Sequence, residues 1–445
     1  MSQNTLELVL TQYSRLILDK EMCKMEAIIK RSPSNHERFN LYLFTSGKAV
    51  SILGSSIYTF AIGLYVLKIT GSALNYATTL MLSIIPMVLI SPIAGVIADR
   101  IPKKWLVVGM DLLSGLLFAA LYFYALTMTL NLAVIYISTV VLNIFTTFFG
   151  IGIEAAKPSL VKSERLVKLN ALSKLIDSSA SILGPIIGGM VFALVNIELF
   201  ILFNAVSFIF SAVTEWFIDY DFNKDERENE EPARIRTKAF SMDLKEGWNF
   251  FSHNRSILEL FFVFVSLNFL LGFSVNVPAP YIMNQLLKMP SSSFGLINSM
   301  FPVGLILGTL TVEKVMGKIE FRRLLISMNA FIALLAGLIG LPIVLNLGNS
   351  NNLIYYATIN ILMGIAIAYV DVPIMTILQN EIPKKLLGRV LSLIMSLVKV
   401  ILPLAIITSG LLINVLPIVI IPVIGASIAF SYSLLLWVQH SKHLS

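Results

Sequence analysis

Along almost the whole chain, long apolar runs alternate with short charged segments. Leu74 to Ile93 carries no charge, and Trp105 to Ala125 carries only Asp111; between them lies the charged hinge Ala94 to Lys104, AGVIADRIPKK. Helices of such runs, at about 1.5 Å per residue, match a hydrocarbon core about 30 Å thick. Hydropathy predicts spans near Phe39–Leu67, Leu74–Ala98, Trp105–Thr127, Leu132–Gly152, Leu169–Leu194 and Leu199–Ile218. It then collapses over Asp219–Arg255, whose DFNKDERENEEPARIRTK composition reads as a solvated linker with short helical pieces. Further spans follow near Ile257–Leu286, Phe294–Val315, Leu324–Leu345, Leu353–Leu378, Val390–Leu412 and Ile418–Val438.

The predicted fold is an all-α polytopic membrane protein of twelve transmembrane helices in two pseudo-symmetric six-helix bundles. The bundles are 39–218 and 256–438; segment 1–38, linker 219–255 and tail 439–445 complete the chain. Faint internal similarity supports two related halves. Leu169-Asn170-Ala171-Leu172-Ser173 answers Gly388-Arg389-Val390-Leu391-Ser392, and a degraded hinge, Gly308-x-x-x-x-Glu313-Lys314, precedes Arg322 and Arg323. Segment 1–38 has no signal-peptide layout, since Lys20, Glu21 and Lys24 interrupt any apolar core. The helical spacing of Leu6, Val9, Leu10, Tyr13 and Ile17 leaves three readings open: an interfacial helix, a frayed tail, or a start at Met25.

Composition agrees with the membrane reading: of 445 residues, 56% are hydrophobic and 13% charged, far outside the ordinary soluble range. The single cysteine, Cys23, excludes an intrachain disulfide framework and a cysteine zinc site, and the four histidines show no metal-ligand spacing. A net charge of +7 does not point to nucleic acid, because the basic residues fall in short inter-span loops. Of 33 basic residues, Lys68 and Lys288 sit in the alternate loops and Lys48 and Lys399 inside spans; all others fall on one side. That side is expected to be cytoplasmic and to hold both termini and the linker. The lipid bilayer is the expected partner surface.

The hinge spacing Gly95-x-x-x-Asp99-Arg100-x-Pro102-Lys103-Lys104 resembles the signature between the second and third helices of major facilitator superfamily transporters, with Pro102 where that pattern has glycine. In span five, Ala180-x-x-x-Gly184-Pro185-x-x-Gly188-Gly189 resembles the motif of the proton-antiporting, exporting branch, with Ala180 in place of its first glycine. Small residues at such spacing also let membrane helices approach closely whatever their function. The runs Ser46–Gly54 and Thr70–Ala73, with Ile382-Pro383 and Gly388-Arg389-Val390, are similar to macrolide-efflux-like exporters. The resemblance covers Phe39 to the C-terminus. It implies a central cavity between the halves, alternating access, and a proton gradient as energy source with no bound cofactor. It also implies that Asp99 closes the cytoplasmic face by meeting the start of span eleven near Gly388 and Arg389, where helix dipole and guanidinium both favour a carboxylate.

Charges inside apolar spans each cost about 2.5–3.5 kcal/mol at mid-helix, so few persist without compensation. Asp111, Glu154 and Glu215 lie near the cytoplasmic helix ends: Asp111 is a candidate brace for the hinge basics, Glu154 a local partner for Lys157, and Glu215 a snorkelling residue. Lys48, Asp177, Asp371 and Lys399 are deeper. They lie 10, 9, 10 and 10 residues from Arg38, Lys168, Glu381 and Arg389, hence ~14–15 Å inward. Equal depth suggests Asp371 with Lys399 and Asp177 with Lys48. Such pairs are either static neutralisation of buried charge or a titratable network that couples protons to cavity opening.

No nucleophile elbow, metal-ligand cluster or phosphate loop is visible, which argues against an enzyme. The expected function is secondary active export of small amphiphilic compounds, of drug or macrolide type, coupled to protons, by a monomer in the plasma membrane. The alternatives are an importer or lipid transporter of the same fold, or a non-transporting membrane sensor.

Overall fold

The computed structural model describes residues 35–223, 246–316, 318–346, 348–383 and 386–444, with backbone alone at 35, 99, 388 and 439–444. Among the described residues, twelve helices are long and apolar enough to cross a membrane. In the first half they are α1 (Asn35–Thr70), α2 (Ala73–Arg100), α3 (Lys103–Thr127), α4 (Leu132–Leu160), α5 (Ser163–Leu194) and α6 (Ile197–Trp216). The second half contains α7 (Arg255–Leu286), α8 (Ser291–Met316) and α9 (Phe321–Leu345), then α10 (Asn349–Glu381), α11 (Leu387–Ile413) and α12 (Ile420–Leu444). The expected segment before Asn35 and most of the linker lie outside the described residues. The described end of the linker is helical over 246–253; its Phe251 is buried in the core of the second bundle.

Local chemistry sets the helix starts. Ser72 caps α2 by accepting from the amide of Asn75 (3.3 Å), Asn131 caps α4 through Val134 (3.0 Å), and Asn254 caps α7 through Ile257 (3.2 Å). Gly71 takes φ +59 in the tight α1–α2 turn, a conformation an L side chain resists. Pro102 directly precedes α3, where its missing N–H is one the helix would leave unpaired anyway. In α7 the prolines 278 and 280 remove backbone donors mid-span, and the helix accommodates them with π turns at Leu271–Val275 and Ile282–Leu286.

In the first half α1 packs on α5 and α6, α3 on α4 and α6, and α2 on α4; in the second, α10 packs on α8 and α9, α9 on α12, and α7 on α11. The halves meet through α5 on α8 and α2 on α11. Gly189 and Gly295 allow the first contact: a Cβ on Gly295 would sit 2.2 Å from the Pro185 carbonyl oxygen, and one on Gly189 2.5 Å from that of Ser291. Gly410 packs in the same way against Ala77 and Leu74. Gln285 donates to the Leu67 carbonyl at 2.8 Å, and Phe60 stacks on Phe294 at 5.3 Å. All these joints lie toward the membrane face opposite the linker. On the linker side, α5 instead exposes Asn170, Lys174, Ser178 and Ser181, and α11 exposes Ser392, Ser396 and Lys399. Polar faces at helical spacing in these interface helices define a cleft that opens toward the linker.

Candidate functional site

Beneath the closed end, between the two halves, lies a cavity of about 510 Å³, within the usual range for small-molecule sites. Ser55, Ser56, Thr59 and Phe60 of α1 face Asn276 and Met283 of α7, Asn298 of α8 and Asn360 of α10 across it. None of the described residues lining it is charged. The π turns of α7 bring Val275 and Asn276 into the wall, a use of irregular helix common at functional sites.

The span-five motif shapes this wall from behind. Gly184 leaves room for Ser56, whose Oγ donates to the Ala180 carbonyl at 3.0 Å, and Gly188 seats Phe60. Gly189 instead meets α8, so one glycine-rich face holds α1 and the opposite half together. Pro185 supplies the carbonyl that packs on Gly295.

A charged cluster sits on the linker side of the cavity, within the first half. The Lys48 ammonium, 3% exposed, lies 3.0 Å from Asp177 and 3.6 Å from Glu154, and donates to Ser173. Glu154 also pairs with Lys157 one turn along α4 at 2.5 Å. Two lysines and two carboxylates thus join α1, α4 and α5. The lysines are buried, whereas Asp177 and Glu154 are 41% and 56% exposed. The acids therefore present the face that water or a proton reaches first.

Asp371 and Lys399 are not brought together. Asp371 is half-buried on α10 and Lys399 exposed on α11, and neither has an ion-pair partner among the described residues. The physical reason is packing. α10 and α11 are consecutive, but α10 lies against α8 and α9 while α11 lies against α7 and α2.

Asp111 and Glu215 also depart from expectation. Neither braces the hinge nor snorkels: they are 1% and 0% exposed, inside the junction of α1, α3 and α6. Ser51 donates to Asp111 at 3.0 Å, and Ser211 to Glu215 at 3.4 Å and to the Gly47 carbonyl at 2.9 Å. One oxygen of each carboxyl has no hydrogen-bond partner among the described residues. The sequence signal was present in the small residues Gly47 and Ser51, one turn apart on α1, and in Ser211, one turn before Glu215 on α6.

At the hinge, Lys103 donates to the Ala98 carbonyl at the end of α2, and Lys104 lies 4.7 Å from the Trp216 ring centroid. Arg100 is exposed, and nothing lies within 4 Å of a Cβ placed on Gly95. The expected contact of Asp99 with the start of α11 near Gly388 lies outside the described residues. Arg389 pairs with Glu246 of the 246–253 helix at 2.8 Å, which ties the linker to α11. No group of three or more potential metal ligands occurs among the described residues.

Residues 44–406 match the family model described as Major Facilitator Superfamily. The chain is 23% identical over 378 residues to macrolide efflux protein A of Streptococcus pyogenes, covering 85% of this chain and 90% of that protein. Among solved structures it is similar to a bacterial homologue of the iron transporter ferroportin in an inward-facing state, with TM-score 0.67 and 15% identity over 91% of this chain and 99% of that one. It is also similar to the nucleoside transporter NupG, with TM-score 0.65 and 13% identity over 91% and 97% of the two chains.

Proposed function

From its membership of the major facilitator superfamily, which makes this chain a membrane transport protein and not an enzyme, we propose that it is a proton-coupled exporter of small amphiphilic compounds. It works in the plasma membrane with linker and termini on the cytoplasmic side. The observation that carries this reading is the uncharged cavity between the halves, sealed by α5–α8 and α2–α11 on one face and open toward the linker on the other. A compound enters from the linker side, the halves rock, and the seal transfers to the opposite end of the same helices. The named macrolide efflux relative supports both direction and cargo type.

Coupling falls to the Lys48 cluster, because it joins α1, which lines the cavity, to α5, which packs behind it. A proton taken up by Asp177 or Glu154 weakens the hold on Lys48 and frees α5 to move against α1, tying charge to conformation. Asp371 is a second coupling carboxylate, acting without an ammonium partner.

The test is uptake of a panel of labelled, non-ionisable amphiphiles by inverted vesicles, with and without an acid-inside pH gradient. Accumulation that needs the gradient is the expected result. Uptake only into right-side-out vesicles would make the protein an importer.

A further inference from the structure

We propose that the first half holds a hard divalent cation, magnesium or calcium, between Asp111 of α3 and Glu215 of α6, at a site separate from the cargo cavity and from the Lys48 cluster. Both carboxyls are fully buried, and neither has an ion-pair partner among the described residues. Basic residues close by along the chain are committed elsewhere. Lys48, next to Gly47, turns to Asp177 and Glu154, Lys103 donates to the Ala98 carbonyl, and Lys104 lies over the Trp216 ring. Two buried negative charges without a counter-charge are too costly to persist, so something outside the chain balances them.

Oxygens with free lone pairs gather at this junction. Ser51 donates to one oxygen of Asp111 at 3.0 Å, and Ser211 stands between the acids, 3.4 Å from Glu215 and within reach of Asp111. The second oxygen of each carboxyl, Asp111 Oδ2 and Glu215 Oε2, is buried without a hydrogen-bond partner among the described residues. So is the hydroxyl of Tyr220, just past the end of α6. The Tyr220 ring belongs to the same apolar cluster as Phe44 and Val107, which lie one turn from Gly47 and Asp111. Burial, and then the charges of Glu215 and Asp111, hold its phenol well above the usual pKa, so the hydroxyl stands in the field of both acids. Gly47 keeps the space open: a Cβ there would sit 3.0 Å from the Glu215 Cγ and 3.3 Å from its Oε1. Carboxylate and hydroxyl oxygens, completed by water, suit magnesium or calcium, whereas zinc and copper favour the nitrogen and sulfur ligands that these groups lack. One divalent ion balances both carboxylates, and sodium would leave one of them uncompensated. Bound there, the ion ties α3 and α6 to α1 one turn behind the cavity residue Ser55, whose hydroxyl donates to the Ser51 carbonyl at 2.9 Å.

The test is thermal unfolding of the full-length protein in detergent, stripped with EDTA and titrated near neutral pH with magnesium, calcium or sodium chloride at constant ionic strength. Magnesium or calcium is expected to raise the midpoint saturably, by about 3 °C or more, and sodium is not. Asp111→Asn and Glu215→Gln should each abolish the rise. Tyr220→Phe, a milder change, should keep the fold and increase the half-saturating concentration about tenfold. Asp177→Asn should leave the response intact, because the Lys48 cluster is not the site. No saturable response to either divalent ion, an equal response to sodium, or an unchanged response in Asp111→Asn or Tyr220→Phe would overturn the proposal. So would stabilisation by acid alone, which would assign the balancing charge to protons. None of these readouts depends on cargo or on the direction of transport.

Discussion

Replacing Gly295 with alanine should open the sealed end of the transporter. The new Cβ would lie 2.2 Å from the Pro185 oxygen, 3.1 Å from the Pro185 carbonyl carbon and 3.2 Å from the Gly189 Cα, all backbone atoms that cannot rotate away. Carbon contacts settle at about 3.5–4.0 Å, so α5 and α8 must part by about 1 Å or more. Overpacking of this kind costs about 1–3 kcal/mol. The contact joins the two halves, so the cost falls on the state in which their outer ends touch and spares the state in which they separate. At about 1.4 kcal/mol per tenfold, the closed-end population should fall about 5- to 150-fold relative to the open one. A cysteine at the cavity position Asn298 reports this through its labelling by a membrane-impermeant maleimide added opposite the linker. Gly364→Ala is the control. Its Cβ would be as close, 2.2 Å from the Phe301 oxygen, but both residues belong to the second half, so stability should drop without new access. Unchanged Asn298→Cys labelling in a well-folded Gly295→Ala protein would refute the reasoning.

The charged groups give further expectations. Lys48→Met strips Asp177 and Glu154 of their shared cation and should cost about 2–3 kcal/mol, less than for a fully buried pair because both acids are partly exposed; thermal unfolding in detergent should show partial recovery on adding Asp177→Asn. Ser51→Ala removes the hydroxyl that satisfies Asp111 and should cost about 1–3 kcal/mol, whereas a second change, Asp111→Asn, should soften the loss in the same assay. Asp371→Asn should insert normally yet lose uphill, gradient-driven transport. Its effect on stability should add to that of Lys399→Met within about 0.5 kcal/mol, since the two residues do not meet.

Hydropathy located every span because apolar length is a local property of the chain. It misplaced ends where helices run on as charged, partly exposed turns: α4 continues past Gly152 to Leu160, and α5 begins at Ser163, not Leu169. Depth along a helix was equally legible, and equal depth drew attention to Lys48 with Asp177, which the structure places 3.0 Å apart. The same count failed for Asp371 and Lys399. Depth is a single coordinate, and the neighbour of each helix is decided by packing across the bundle, where α11 goes to α2 and α7. Asp111 and Glu215 were misjudged for a related reason. Nearness to a helix end does not say which way a side chain turns, and theirs turn inward to serines on α1 and α6. The family resemblance implied a central cavity between the halves, but its lining residues were not legible, since the wall is assembled from single turns of helices distant in sequence.

Inverted proteoliposomes loaded with acid and a lumenal pH dye offer the most direct measurement of the central claim, export coupled to protons. Adding a labelled, non-ionisable amphiphile on the linker side should discharge the lumenal acid while the compound accumulates, and both signals should vanish in Lys48→Met. Accumulation that continues unchanged after the pH gradient is collapsed, with no proton movement on adding the compound, would contradict it.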